Sequence, residues 1–205
     1  HTDAAQSCGK IEIDVNRLKA DLLTIAGHKL YAPKGIGALY IRRGSRIDPY
    51  IHGAGQESGR RAGTENVAYM VGLGTACRIA GESLPETGKT LSRLRDRLQA
   101  GLEAGLGKDR VRLNGHPEKR LPNTLNISLR GVAGEELLSS MPEIAASTGA
   151  ACHAGTTDPS GVLLEMGLER ETALGALRLT LGRWSTEAEV DRAVALIVAR
   201  VGESG

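Results

Sequence analysis

The sequence predicts an α/β protein. Three observations carry that expectation. Strand-like and helix-like segments alternate along the chain. The first long strand is apolar on successive residues, as in a sheet covered on both faces. The chain also closes on an amphipathic helix with its own start signal.

The elements follow in order. "HTDAAQ" at the start is polar and has no helix or strand periodicity of its own. "DLLTIAG" (21–27) and "GIGALYIRR" (35–43) read as strands. "GAGQESGRRAGT" (53–64) holds too many glycines for a regular element and reads as a loop. A helical pattern begins at Thr64 and runs through "ENVAYMVGLGTACRIA". Pro85 and Gly88 should interrupt it, because proline removes a helical N–H and glycine gives up helix propensity. A second helix, "LSRLRDRLQAGLEAGL", carries Leu91, Leu94, Leu98 and Leu102 at helical spacing. The interruption is the expected domain boundary, dividing residues 1–84 from 85–205.

Beyond it, "NTLNISLRG" alternates. Leu125, Ile127 and Leu129 face one way, and Thr124, Asn126 and Ser128 the other, as in a half-buried strand. "GEELLSS" reads as a short helix, "EIAAST" as a strand, "GAACHAGTTDPSG" (149–161) as a loop and "ALRLTLG" (176–182) as a strand. In "STEAEVDRAVALIVARV", Thr186 and Glu189 form a capping box, and Val190, Val194, Ile197 and Val201 form the apolar stripe.

The totals exclude some classes of function. With 40% hydrophobic residues but no Phe, a core must be built from Leu, Ile, Val and Ala. A net charge of +2 offers no basic footprint for nucleic acid or a membrane surface. No apolar run reaches the ~18 residues of a membrane span. Three cysteines at irregular spacing argue against a disulfide framework and predict a reducing, cytoplasmic setting.

Chemistry concentrates at "TIAGHKLYAPKGIGALYIRR" (24–43). A lysine past an apolar strand is most often a gatekeeper charge. Gly27, however, allows close approach to the backbone, and His28 adds a second polar side chain at the same strand exit. Ligands of open α/β sheets bind outside the carboxyl ends of strands. A lysine amine partly desolvated there becomes a nucleophile toward aldehydes. Asp3 and Gln6 stand three apart in "TDAAQ", where an Asp usually caps a helix. Cys152 could be a small buried hydrophobe, the common state of a free cysteine. Its setting among Gly, Ala, Ser and Thr instead suits an exposed nucleophile. His153 could assist its deprotonation or be a polar loop residue, and Cys8 and Cys77 read as core.

Taken together, "TDAAQ", "TIAGHKLYAPKGIGALYIRR", "GAGQESGRRAGTEN", "LPNTLNISLRG", "STGAACHAG" and "LRLTLGRWSTEAEVD" resemble, in order and spacing, the cysteine desulfurases. These are class V aminotransferases of pyridoxal phosphate (PLP) fold type I, and the resemblance runs from end to end. It implies a partial large domain with a mainly parallel sheet, then an α+β small domain. It implies PLP bonded to Lys29, with Asp3 on the pyridine nitrogen, Gln6 on the phenolic oxygen and His28 on the phosphate. Thr64 would reach the phosphate bound to the partner subunit, hence a homodimer with shared sites. Arg178 would clamp the substrate carboxylate, while Arg183 is structural. Cys152 would take sulfur from L-cysteine and pass it to a scaffold or carrier protein for iron–sulfur cluster or thio-cofactor assembly.

"GAACH" and "TIAGHK" also resemble the selenocysteine lyase branch, so selenocysteine is the alternative substrate. The family's chains are nearly twice as long, which implies that this chain matches their rear part. A chain of that extent could be inactive alone, serving only dimerisation or scaffold docking. Two departures touch the phosphate: Ala54 and Ser58 stand where the family has glycine and arginine, and Ala26 where it often has a hydroxyl donor.

Overall fold

The apolar run within residues 21–27 becomes a central strand. The structure, a computed structural model, describes residues 1–149 and 158–203. The chain divides into two compact units, His1–Glu86 and Thr87–Gly205.

In the first unit, β2 (Leu22–Ala26) lies between β1 (Thr2–Asp3) and β3 (Gly37–Ile41). β1 runs parallel to β2 with Asp3 opposite Thr24, and β3 runs antiparallel with Ala26 opposite Gly37. The opening residues, expected to form no element, thus contribute a strand. β1 is only two residues long, too short for any periodicity to show. Leu23 is buried, the rest of β2 is half-buried, and Ile25 packs with Leu30 against Leu73, Ala76 and Ala80. Among residues 53–64, regular structure is confined to a 3-10 turn over Gln56–Gly59, in which Glu57 and Ser58 take positive φ.

Leu73, Ala76 and Ala80 belong to α1, which runs without a break from Val67 to Leu106. The expected interruption does not occur, and Pro85 sits inside the helix. The reason lies on both sides of it. Ala76 and Ala80 before, and Leu91, Leu94, Leu98 and Leu102 after, are all buried at helical spacing. Fully burying a leucine side chain is worth about 1.5–3 kcal/mol. A row of them outweighs the roughly 3 kcal/mol that an interior proline costs.

The second unit is built on an antiparallel sheet in the order β4 (Val111–Leu113), β5 (Thr124–Leu129), β6 (Ala176–Thr180). Leu125, Ile127 and Leu129 project into the core with Leu177 and Leu179. On that face they meet Leu94, Leu98 and Leu102 of α1, and Val190, Ile197 and Val201 of α5 (Glu187–Glu203). Ser128, expected on the open face, is buried too, because Asn114 Nδ2 donates to its Oγ at 2.9 Å. Gly101 and Gly105 let α1 and α5 approach: a Cβ there would stand 2.8 Å from Val194 and 2.5 Å from Val198. The capping box forms as expected, with Thr186 N–H donating to Glu189 Oε2 at 2.8 Å and Glu189 N–H to Thr186 Oγ1 at 3.2 Å.

The remaining helices are short: α2 (Gly134–Ser139), α3 (Gly161–Glu165) and α4 (Arg170–Leu174). "EIAAST" is not a strand. Only Ser147 pairs, in a single antiparallel bridge to Arg178 on β6. The chain then leaves the sheet edge at Gly149, whose φ is +126°. One pair cannot make a ladder.

Candidate active site

Asp3 ends β1, and Lys29 lies three residues beyond the end of β2. Those strands are parallel neighbours, so both residues leave the sheet at its carboxyl end, where α/β sheets bind ligands. The strand ends in a 3-10 turn, Gly27–Leu30, that carries His28 and Lys29. Two features force the turn. The Gly27 N–H bonds the Ile36 carbonyl at 2.9 Å, and a Cβ on Gly27 would lie 2.6 Å from that same oxygen. Glycine is therefore required by space, since the 27–36 loop closes on its backbone. Leu30 is buried among Leu73, Ala76 and Ala80, while His28 and Lys29 on the same turn are exposed. Burial of Leu30 thus pins the turn and leaves the amine of Lys29 outside.

Asp3 is exposed. Its Oδ1 accepts the Ala5 N–H at 2.8 Å, a local turn that fixes the carboxylate and leaves Oδ2 for another donor. Gln6 is exposed in the turn that follows. Thr24, paired with Asp3, bonds the His1 ring at 2.7 Å. Thr64 is exposed three residues before α1, and its neighbour Gly63 is held by Gln56 Oε1 at 3.1 Å. The structure therefore brings Asp3, His28 and Lys29 to one sheet end, with Gln6 just past β1. Thr64 lies in the same unit on a separate segment.

Arg178 is half-buried on β6 in the second unit. Its Nη1 donates to the Gly149 carbonyl at 2.8 Å. The Arg183 guanidinium lies 5.6 Å from the ring centroid of Trp184, within cation–π range. Cys152 and His153 lie outside the described residues. Burial pushes the Cys8 thiol up, neighbouring Cys77 adds to the shift, and Lys10 opposes it. Both thiols pack against the Leu30 cluster, as small core side chains do.

Sequence reasoning missed Ser147. It bonds the Arg178 backbone in both directions, at 2.6 and 3.3 Å, and its Oγ accepts the Gly149 N–H at 3.0 Å. The local half of this was visible, because a Ser two residues before a Gly signals a side-chain turn. The pairing with Arg178 spans 31 positions in sequence and leaves no local sign.

Asp3, His28 and Lys29 thus stand together at the carboxyl end of an α/β sheet. The chain matches the class-V aminotransferase family over residues 1–193 and belongs to it. It is 50% identical over 195 residues to a cysteine desulfurase IscS of Clostridium botulinum, covering 93% of this chain and 49% of that one. It is 47% identical over 199 residues to the IscS of Methanosarcina thermophila, covering 96% and 48%. Among solved structures, a NifS-like protein superposes with a TM-score of 0.87 at 36% identity, over 98% of this chain and 52% of the other. A structure described as SspA in complex with cysteine superposes at 0.64 with 33% identity, over 91% and 51%. The chain thus spans about half the length of the curated relatives it matches.

Proposed function

We propose that this chain is the part of a PLP-dependent cysteine desulfurase that carries the cofactor lysine and the sulfur-accepting cysteine. The observation that supports this most is the placement of Asp3 and Lys29 at the carboxyl ends of neighbouring parallel strands. That donor set fits PLP: an exposed amine for its aldehyde, a fixed carboxylate for its ring nitrogen, and His28 on the same turn for its phosphate. When bound, PLP supplies an electron sink for the substrate α-carbon.

The rest is done by the protein. Arg178 holds the substrate carboxylate through parallel hydrogen bonds from its planar fork. The Lys29 amine would hold the cofactor's aldehyde and would serve as the general base for the substrate α-proton. With PLP bound, Asp3 would hold the ring nitrogen, Gln6 the phenolic oxygen, and Thr64 the phosphate of the partner subunit's cofactor in a homodimer. The Cys152 thiolate attacks the substrate sulfur. A sulfur–sulfur bond forms and the carbon–sulfur bond breaks. Its electron pair stays on the substrate carbon, which is protonated and leaves as L-alanine. Cys152 is left as a persulfide for a sulfur-acceptor protein. Among the described residues no helix is long and apolar enough to cross a membrane.

The test uses the PLP-loaded protein. Lys29→Ala removes the long-wavelength absorbance of the bound cofactor. Cys152→Ala keeps it but stops sulfide release from L-cysteine. Continued cysteine turnover by Cys152→Ala sinks the nucleophile assignment, and turnover of selenocysteine alone in that variant favours a selenocysteine lyase.

A further inference from the structure

We propose that Ser147 is a positioning residue for Arg178, setting the orientation of the guanidinium that receives the substrate carboxylate. The inference rests on the reading of Arg178 given above. Four hydrogen bonds close a ring among three residues. The Arg178 N–H donates to the Ser147 carbonyl at 2.6 Å, and the Ser147 N–H donates back at 3.3 Å. The Gly149 N–H donates to Ser147 Oγ at 3.0 Å. Arg178 Nη1 then donates to the Gly149 carbonyl at 2.8 Å. Ser147 thus fixes Arg178 at its backbone and, through Gly149, at the tip of its side chain.

The chemistry explains why each member is needed. A guanidinium is a planar fork with five N–H donors, so holding one nitrogen and the backbone fixes the plane of the others. Taking Nη1 for the Gly149 carbonyl leaves the remaining edge for a bidentate carboxylate. Among the described residues no carboxylate pairs with Arg178, so that edge has no competing anion there. Gly149 sits at φ +126°, a conformation that side-chain-bearing residues rarely adopt. Among the described residues a Cβ on it would meet Ser160 at 3.5 Å, an ordinary contact, so its requirement there is conformational. Arg178 is itself fixed on β6 by pairing with Asn126 on β5. The Ser147 hydroxyl is therefore the adjustable member: without it the Gly149 N–H loses its acceptor and the carbonyl that orients Nη1 is released.

The experiment separates orientation of the clamp from general stability. The PLP-loaded protein carrying Cys152→Ala, so that ligand is not consumed, is titrated with L-cysteine and with cysteamine while cofactor absorbance is followed. Cysteamine has the same amine and thiol and lacks the carboxylate. Ser147→Ala should weaken L-cysteine about three- to tenfold, the weight of one hydrogen bond, and leave cysteamine within about twofold. Ser147→Thr, which keeps the hydroxyl, should restore L-cysteine binding. If Ser147→Ala does not fold, Gly149→Ala tests the same ring and should show the same carboxylate-specific loss.

Equal weakening of both ligands, or no weakening of L-cysteine, overturns the positioning role. Arg178→Ala is the control on the underlying reading. If it preserves the preference for L-cysteine over cysteamine, Arg178 is not the clamp. If it abolishes that preference while Ser147→Ala leaves it intact, the clamp stands and the positioning role alone falls.

Discussion

The two units are built to different depths. In the second, both sides of the core are present: Leu125, Ile127, Leu129, Leu177 and Leu179 from the sheet meet leucines of α1 and valines of α5, nearly all fully buried. In the first, the buried cluster is Leu30, Leu73, Ala76 and Ala80. Much of β3 is exposed there, as are Val67 and Val71 at 64% and Tyr50 at 96%. Aliphatic burial is thus concentrated in the unit that carries Arg178, and the lysine and Asp3 sit on the thinly packed one.

The sharpest way to break that contrast is to truncate matched apolar side chains. Leu125→Ala, at a fully buried position, should cost about 2–5 kcal/mol of stability. Val71→Ala, mostly exposed, should change it by less than about 0.5 kcal/mol. Urea midpoints measure both, and comparable losses would mean that the first unit is as well buried as the second. The spectroscopy is convenient: Trp184 is the only tryptophan and lies in the second unit, and the four tyrosines lie in the first.

The same contrast governs what the sequence revealed. β2, β5, β6 and α5 were legible because burial imposes a periodicity on enough consecutive residues. The end of β2, and hence the lysine turn, was legible through glycine and charge together. β1 and β4 were not, because two or three residues cannot display a period. "EIAAST" looked like a strand by composition, but the turn at Gly149 allows it a single pair with β6. The Ser147–Arg178 ring was hidden because it joins distant segments. Pro85 misled for a related reason: local propensity argued for a stop, while burial on both sides of it argued for continuity and won.

That competition can be weighed. Pro85 has no N–H to give the preceding turn, yet α1 continues past it. Pro85→Ala restores the bond and should stabilise the protein by about 1–2 kcal/mol, below the full interior-proline figure because helix neighbours have already adjusted. A loss of stability would show that the proline serves a local bend on which the helix depends. Urea midpoints again decide.

A smaller effect belongs to the start of α5. Thr186 caps Glu189 N–H, and Glu189 returns the contact. Thr186→Ala should cost roughly 1 kcal/mol. The loss should appear at Trp184, two residues away, and leave the tyrosine signals of the first unit at their original midpoint. A shift of both signals together would merge the units into one cooperative block.

The smallest effect is electrostatic and also confined to the second unit. Asp191 receives Arg97 Nε and Nη2 at 2.6 and 2.7 Å, and Glu187 is bonded by Arg93 and reached by Arg97 at 3.1 Å. The hydrogen bond from Arg97 holds the Asp191 carboxyl below its ordinary value, and that from Arg93 does the same for Glu187. Both groups therefore bind protons more weakly folded than unfolded. Their contribution is present above the ordinary carboxylate pKa and is lost as pH falls through the lowered folded values. All four side chains are exposed, so the contribution is small and screened by salt. The expected outcome is a melting temperature that declines on acidification, with a shallower slope in Glu187→Gln/Asp191→Asn and in about 1 M salt, where the screening length falls to ~3 Å. An unchanged slope in the double variant would assign the acid sensitivity to other carboxylates, and the α1–α5 contact would then rest on Gly101, Gly105 and the valines that fill against them.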